Sequence, residues 1–82
     1  MSKSEKLVTR FKSQPKDFSW GELVSLLNQL NFNKIEGSGS RVKFFNPEKN
    51  CLLQLHKPHP GNILKHYMMK EILDRLTDEK LI

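Results

Sequence analysis

The residues with the clearest chemical potential lie in one short run, His56-Lys57-Pro58-His59. Histidine is the side chain that changes charge near neutral pH, so two histidines three positions apart offer a general base and a general acid. Cleavage of RNA without a metal needs those two proton transfers and a cation that stabilises the charge building up on the phosphate. We therefore predict His56 and His59 as catalytic residues, with Lys57, Arg41 or Lys43 as the cation that stabilises the charge on the phosphate.

The same two histidines also have simpler interpretations. His56 stands at a strand end, where a histidine can simply form a hydrogen bond with a backbone carbonyl. His59 stands between two prolines and can be an ordinary turn residue. We predict no metal site, because the loop has no cysteine or acid near its histidines. No other cofactor is predicted.

A second chemical feature is the turn Gly37-Ser38-Gly39-Ser40, which is followed directly by Arg41. Glycines permit positive φ and a close approach of the backbone, so such a turn can present amides to phosphate, although most Gly-Ser pairs are ordinary hairpin turns. Arg41 and Lys43 alternate with apolar residues and therefore share one strand face. The predicted RNA-binding residues are Ser40, Arg41, Lys43, Gln54, Lys57 and Lys65.

The charge of the chain is concentrated around these motifs. The 82 residues carry 14 Lys and Arg against 9 Asp and Glu, a formal charge of +5. From residue 37 to residue 70 there are six basic residues, and Glu48 is the only acid. A surface of one sign attracts polyanions, which favours RNA as a partner, although small domains also carry lysines for solubility alone.

Composition excludes several other classes of protein. Cys51 is the only cysteine, which rules out an internal disulfide and a multi-cysteine zinc site. Its place in an apolar strand predicts that it is buried and inert. Apolar runs are no longer than three residues, so no membrane span is predicted. Residues 1–6 lack the apolar core of a signal peptide, so we expect the chain in the cytoplasm.

Hydrophobic periodicity predicts the elements that position these residues. In three segments the apolar residues recur with the spacing of a helix. The residues from Ser19 to Glu22 have the form of a capping box at the start of the second predicted helix. Between the second and third helices the period is two. The predicted helices span 3–12, 20–30 and about 66–76, and the predicted strands span 33–36, 41–45 and 51–56.

The order α-α-β-β-β-α predicts an α+β fold in which the helices pack on one face of a three-stranded antiparallel sheet. The other face is predicted to stay open, with residues 1–15 forming an N-terminal helical extension and 16–82 the domain proper. The residues predicted on the open face are Arg41, Lys43, Phe45, Gln54 and His56.

Four segments together resemble a known family. A capped helix at 19–27 leads to Gly39-Ser40-Arg41, and His59-Pro60-Gly61-Asn62-Ile63-Leu64-Lys65 then precedes a helix containing Ile72-Leu73. This order is similar to the HicA family of toxins from bacterial toxin–antitoxin pairs. The resemblance covers roughly residues 16–76.

The resemblance implies a fold like a double-stranded-RNA-binding domain, ribonuclease activity on mRNA, and a HicB antitoxin that covers the site. The family's usual turn is Gly-Ser-His, and its histidine is the residue to which catalysis is assigned. Here Arg41 takes that position. Arginine stays protonated near neutrality and is a poor general base, but it can bind phosphate.

Three functions remain open from the sequence. The first is a metal-independent endoribonuclease that relocates acid–base catalysis to His56 and His59. The second is a non-catalytic RNA-binding module of the same fold. The third is a protein-interaction partner whose basic face pairs with an acidic, antitoxin-like chain. The family resemblance places the ribonuclease first, whereas chemistry alone would place the RNA-binding module first.

Overall fold

Over the residues that the structure describes, three helices and three strands follow one another in the predicted order. The computed structural model describes residues 3–37, 39–58 and 61–82. The predicted catalytic residue His59 therefore lies outside the described residues. The helices are α1 (Lys3–Lys12), α2 (Trp20–Gln29) and α3 (His66–Asp78), and the strands are β1 (Asn33–Glu36), β2 (Arg41–Asn46) and β3 (Cys51–His56). This confirms the predicted α+β fold.

The three strands form one antiparallel sheet with β2 in the centre. Val42 and Phe44 are buried, whereas Arg41 and Lys43 on the same strand are exposed. Because side chains alternate between the two faces of a strand, a register shifted by one residue would have buried both cations. The predicted register of β2 is therefore confirmed.

The hydrophobic core lies between one face of the sheet and the three helices. Phe11 of α1 is fully buried, and the centroid of its ring lies 5.2 Å from the ring centroid of Phe18. Trp20 at the start of α2 meets Phe44 of the sheet edge to face, with ring centroids 6.1 Å apart. The other buried core residues are Leu23, Leu26, Leu27, Phe32, Val42, Cys51, Leu53, Leu55, Leu64, Met69, Ile72 and Leu76.

The start of α2 carries the predicted capping box and also holds α1 in place. The Glu22 amide donates to Ser19 Oγ at 3.2 Å, and the Ser19 amide donates to Glu22 Oε1 at 3.1 Å. Arg10 Nε of α1 donates to Glu22 Oε2 at 2.7 Å, and Arg10 also pairs with Asp17 at 3.0 Å. The hydrogen bond from Arg10 is the main reason that the pKa of Glu22 lies below its ordinary range.

Helices α2 and α3 both end in a residue with left-handed backbone. Asn31 has φ 69° after α2, and Lys80 has φ 58° after α3. Two backbone hydrogen bonds close each end, including Leu81 N to Leu76 O at 2.9 Å, and together they form the Schellman motif. The predicted end of α3 at Leu76 was two residues short, because the helix continues to Asp78 before this motif ends it.

The turn between β2 and β3 is organised by Asn46. The predicted strand ended at residue 45, but Asn46 is the last residue of β2 and is buried. Its Nδ2 donates to the Leu30 carbonyl at 2.9 Å, and its Oδ1 accepts from the amides of Glu48 and Lys49 at 2.9 and 3.1 Å. The side chain thus joins the hairpin to the end of α2 while shaping the turn, which explains why a polar residue is buried here.

Candidate nucleic-acid interface

The sheet face that the helices leave uncovered, here called the open face, is organised in three cross-strand rows. At one end Arg41 lies opposite His56, and in the next row Lys43 lies between Ile35 and Gln54. The last row is Asn33, Phe45 and Leu52. All eight residues of the open face are exposed except Phe45, which is half-buried. One end of the face is therefore basic and the other end is largely apolar.

The turn before β2 determines where Arg41 stands. The Gly37 amide donates to the Arg41 carbonyl at 2.9 Å, and the Lys57 amide donates to the Ser40 carbonyl at 2.8 Å. A Cβ at Gly37 would come within 3.2 Å of that Arg41 carbonyl oxygen, and Gly39 has φ 66°. The positive φ requires glycine at Gly39, and a side chain at Gly37 would force the Arg41 carbonyl to shift by a few tenths of an ångström. The turn fixes Ser40 and Arg41 next to the end of β3.

A groove of about 300 Å³ opens beside this end of the sheet. It lies between the last residue of β3 and the first turn of α3, and we call it the His56 groove. None of the described residues that line it is acidic. Its lining consists of Ser40, His56, Lys57, Pro58, Ile63, Lys65, Tyr67 and Met68.

The segment before α3 is held against the start of α2. The Trp20 amide donates to the Asn62 carbonyl at 2.6 Å, and the Leu64 amide donates to the Phe18 carbonyl at 2.9 Å. Leu64 is buried, whereas Ile63 is exposed beside the groove. These contacts fix the far side of the groove by backbone hydrogen bonds rather than by side chains alone.

The N-terminus of α3 adds to the positive character of the groove. Lys65 is the N-cap residue, and among the described residues no side chain caps this helix end with a hydrogen bond. The first turn of α3 contains no acidic residue. Because a helix N-terminus carries a partial positive charge, the backbone adds to the charge of Lys57 and Lys65.

The structure groups the predicted RNA-binding residues into two adjoining sets. Ser40, Lys57 and Lys65 line the His56 groove together with His56 itself. The other predicted RNA-binding residues are Arg41, Lys43 and Gln54, and they lie on the open face. Because His59 lies outside the described residues, the prediction that it acts together with His56 stays untested.

Sequence reasoning missed two residues of the groove. Tyr67 is 59% exposed and Ile63 is 47% exposed, although both are large and apolar. The signal for Tyr67 was present in the sequence, because it does not belong to the apolar stripe of α3 that continues through Met69 and Ile72. The sequence around Ile63 gives no such signal. The exposure of Ile63 depends on the backbone hydrogen bonds that its neighbours Asn62 and Leu64 make with the start of α2.

Three further observations bear on the predictions from the sequence. Cys51 is a buried free cysteine in β3, as predicted. Within residues 3–37, 39–58 and 61–82, no three His, Cys, Asp or Glu side chains are grouped so that they could hold a metal ion. In the same ranges, no helix combines the length and the apolar character that a bilayer span requires.

Comparison with known proteins identifies one family. A family model described as the HicA toxin of bacterial toxin–antitoxin pairs matches residues 20–77. The matched span begins with α2 and ends one residue before the end of α3, so it includes the whole sheet and leaves α1 outside. No curated protein and no solved structure matches the chain.

Proposed function

The chain belongs to the HicA toxin family of bacterial toxin–antitoxin systems, and from this premise we propose that it binds and cleaves mRNA. The observation that carries the proposal is the pairing of Arg41 with His56 at the edge of a groove with no acid among its described lining residues. This arrangement places a permanent cation beside a group that can transfer protons.

Binding rests on the exposed cations around that pair. Arg41, Lys43, Lys57 and Lys65 are all exposed and lie on the open face or in the His56 groove. A cation that contacts a phosphate releases the counterions condensed there, and this release drives binding of nucleic acid. The RNA backbone would therefore follow the basic end of the open face into the groove.

Cleavage needs a proton removed from the RNA 2′-hydroxyl and a proton delivered to the departing 5′-oxygen. The 2′-oxygen forms a new bond to phosphorus while the bond from phosphorus to the 5′-oxygen breaks, which leaves a cyclic phosphate and a 5′-hydroxyl. We assign the two proton transfers to His56 and His59. Arg41, a poor base, would instead stabilise the negative charge on the phosphate in the transition state.

Family membership also implies a partner. A toxin from a toxin–antitoxin pair has an antitoxin, and we propose a HicB-like chain that covers Arg41 and the His56 groove and so blocks RNA. An acidic segment would suit this surface because the charged residues described on the open face and in the groove lining, Arg41, Lys43, Lys57 and Lys65, are all positive. A messenger RNA substrate would place the toxin's action in the cytoplasm.

The test is cleavage of a long single-stranded RNA by the purified chain, free of partner and in EDTA. We expect the wild type to cut the RNA, and His56→Ala or His59→Ala to abolish both cleavage and growth arrest on expression. His66→Ala is the matched control, since His66 is exposed at the start of α3 but does not line the groove. Full toxicity in the double variant His56→Ala/His59→Ala would rule out this catalytic assignment.

A non-catalytic RNA-binding module is the second candidate, and one specific observation favours it. Arg41 stands where the family usually has its histidine, which removes the family's own proton-transfer group. Wild-type protein that binds RNA with a clear salt dependence but leaves it intact would support this candidate over the ribonuclease.

A further inference from the structure

Tyr67 and Ile63 are large side chains that do not belong to the hydrophobic core formed by the described residues. Tyr67 is the second residue of α3 and is 59% exposed, and Ile63 is 47% exposed in the segment before that helix. Both line the His56 groove, where Lys57 and Lys65 supply positive charge. A concave site that combines two exposed apolar side chains with cations is typical of a site that binds a flat, anionic ligand.

We propose that the His56 groove holds one unstacked nucleotide of a single-stranded RNA, with its base stacked on the ring of Tyr67. This inference rests on the proposed RNA binding and names the subsite and the class of substrate. Ile63, which also lines the groove, would contact the same base. The phosphate would lie near Lys57, Lys65 and the hydroxyl of Ser40.

The size of the groove limits what can occupy it. A volume of about 300 Å³ is at the lower end of the range that holds small ligands. One nucleotide fits such a space, whereas a base pair within a helix does not. In duplex RNA the faces of the bases are covered by their neighbours, so Tyr67 could stack on a base only after the strand had opened.

Such a nucleotide site would make the RNA preference of this chain differ from that of the double-stranded-RNA-binding fold. Domains with the double-stranded-RNA-binding fold recognise duplexes mainly by shape and backbone contacts. A base held on Tyr67 would instead select single strands and position the neighbouring phosphate next to His56. Tyr67 would therefore act in substrate selection rather than in the proton transfers.

The experiment measures binding of a fluorescent single-stranded 2′-O-methyl oligonucleotide, which has no attacking hydroxyl and cannot be cleaved by the proposed route. We expect Tyr67→Ala to weaken binding by roughly 10- to 100-fold, the usual loss for a stacking aromatic. Tyr67→Phe keeps the ring and should keep most of the affinity. Thr77→Ala is the control, because Thr77 is exposed near the other end of α3.

A second probe isolates the stacking contact. An oligonucleotide of the same length in which every base is removed keeps the phosphates but offers nothing to stack on. We expect the wild type and Tyr67→Ala to bind it equally. An equal loss for Tyr67→Ala on both probes would overturn the stacking role, because the effect would then come from the backbone.

The outcomes also separate this inference from the proposed function. If Tyr67→Ala binds as well as wild type while Arg41→Ala/Lys43→Ala binds poorly, RNA binding stands and the nucleotide site is wrong. The His56 groove would then be assigned to the binding of a protein partner instead of a nucleotide. If the wild type binds neither single-stranded nor duplex RNA, both proposals are wrong.

Discussion

Arg41 and His56 lie directly opposite each other on β2 and β3, and both side chains are exposed on the open face. Opposed residues in an antiparallel pair have Cβ atoms about 5 Å apart, so both side chains can reach the same phosphate. The hydrogen bond from Lys57 N to Ser40 O, 2.8 Å long, continues the pairing beyond the strands and fixes this register. The position of His56 relative to Arg41 is therefore set by the backbone of the hairpin.

The packing of Phe11 predicts that α1 contributes to stability even though the family match begins at Trp20. Phe11 is fully buried against Phe18, so Phe11→Ala would leave a cavity in the core. We expect the free energy of unfolding to fall by about 3–5 kcal/mol, as measured by urea denaturation. Lys12→Ala, at the exposed next position, should change it little. If Phe11→Ala were as stable as wild type, residues 1–15 would be a dispensable extension.

The pairing of Glu22 with Arg10 predicts a dependence of stability on pH. The pKa of Glu22 is lowered, first by the hydrogen bond from Arg10 and further by those from Ser19. A carboxyl whose pKa is lower in the folded than in the unfolded state stabilises the fold while it is ionised. This stabilisation should be complete above about pH 5 and should be lost as the pH falls through the folded pKa.

Glu22→Gln tests this directly, because glutamine can still complete the capping box but carries no charge. We expect the wild type to have the higher melting temperature at neutral pH and the two proteins to converge as the solution becomes acidic. A constant difference across the whole range would show that the charge of Glu22 does not stabilise the fold.

The left-handed residue after α3 predicts a stabilising substitution. Lys80 has φ 58°, a conformation that costs a residue with a Cβ roughly 1–2 kcal/mol and costs glycine little. Lys80→Gly should therefore raise the free energy of unfolding by about 1 kcal/mol. Asn31→Gly should give a smaller gain, because asparagine already tolerates its φ of 69°. A loss of stability in Lys80→Gly would mean that the lysine stem makes a contact that outweighs its backbone strain.

Local patterns in the sequence were sufficient for most of the fold. The helical stripe, the capping box at Ser19 and the alternation around Val42 and Phe44 each depend on residues close together in the chain. They gave the element order, the register of β2 and the face on which Arg41 and Lys43 lie. The apolar alternation also predicted correctly that Cys51 is buried.

The features that were predicted wrongly or not predicted at all depend on contacts between segments that are distant in the sequence. Asn46 is buried because its side chain meets the Leu30 carbonyl, sixteen residues away, and a turn-forming composition does not reveal that partner. The His56 groove exists because the segment around Ile63 is held against the start of α2. Alternation along a strand indicates which face a side chain occupies, but it does not show which loop lies beside that face.

The most direct test of the central claim is the salt dependence of RNA binding by Arg41→Ala/Lys43→Ala. Lys12→Ala/Lys49→Ala is the matched control, because it also removes two positive charges but takes them from α1 and from the turn at the other end of the β2–β3 hairpin. For single-stranded RNA, losing two phosphate contacts should reduce the slope of log affinity against log salt by about 1.4. We predict that reduction, together with weaker binding, for Arg41→Ala/Lys43→Ala and not for the control. Unchanged affinity and slope in Arg41→Ala/Lys43→Ala would contradict the account.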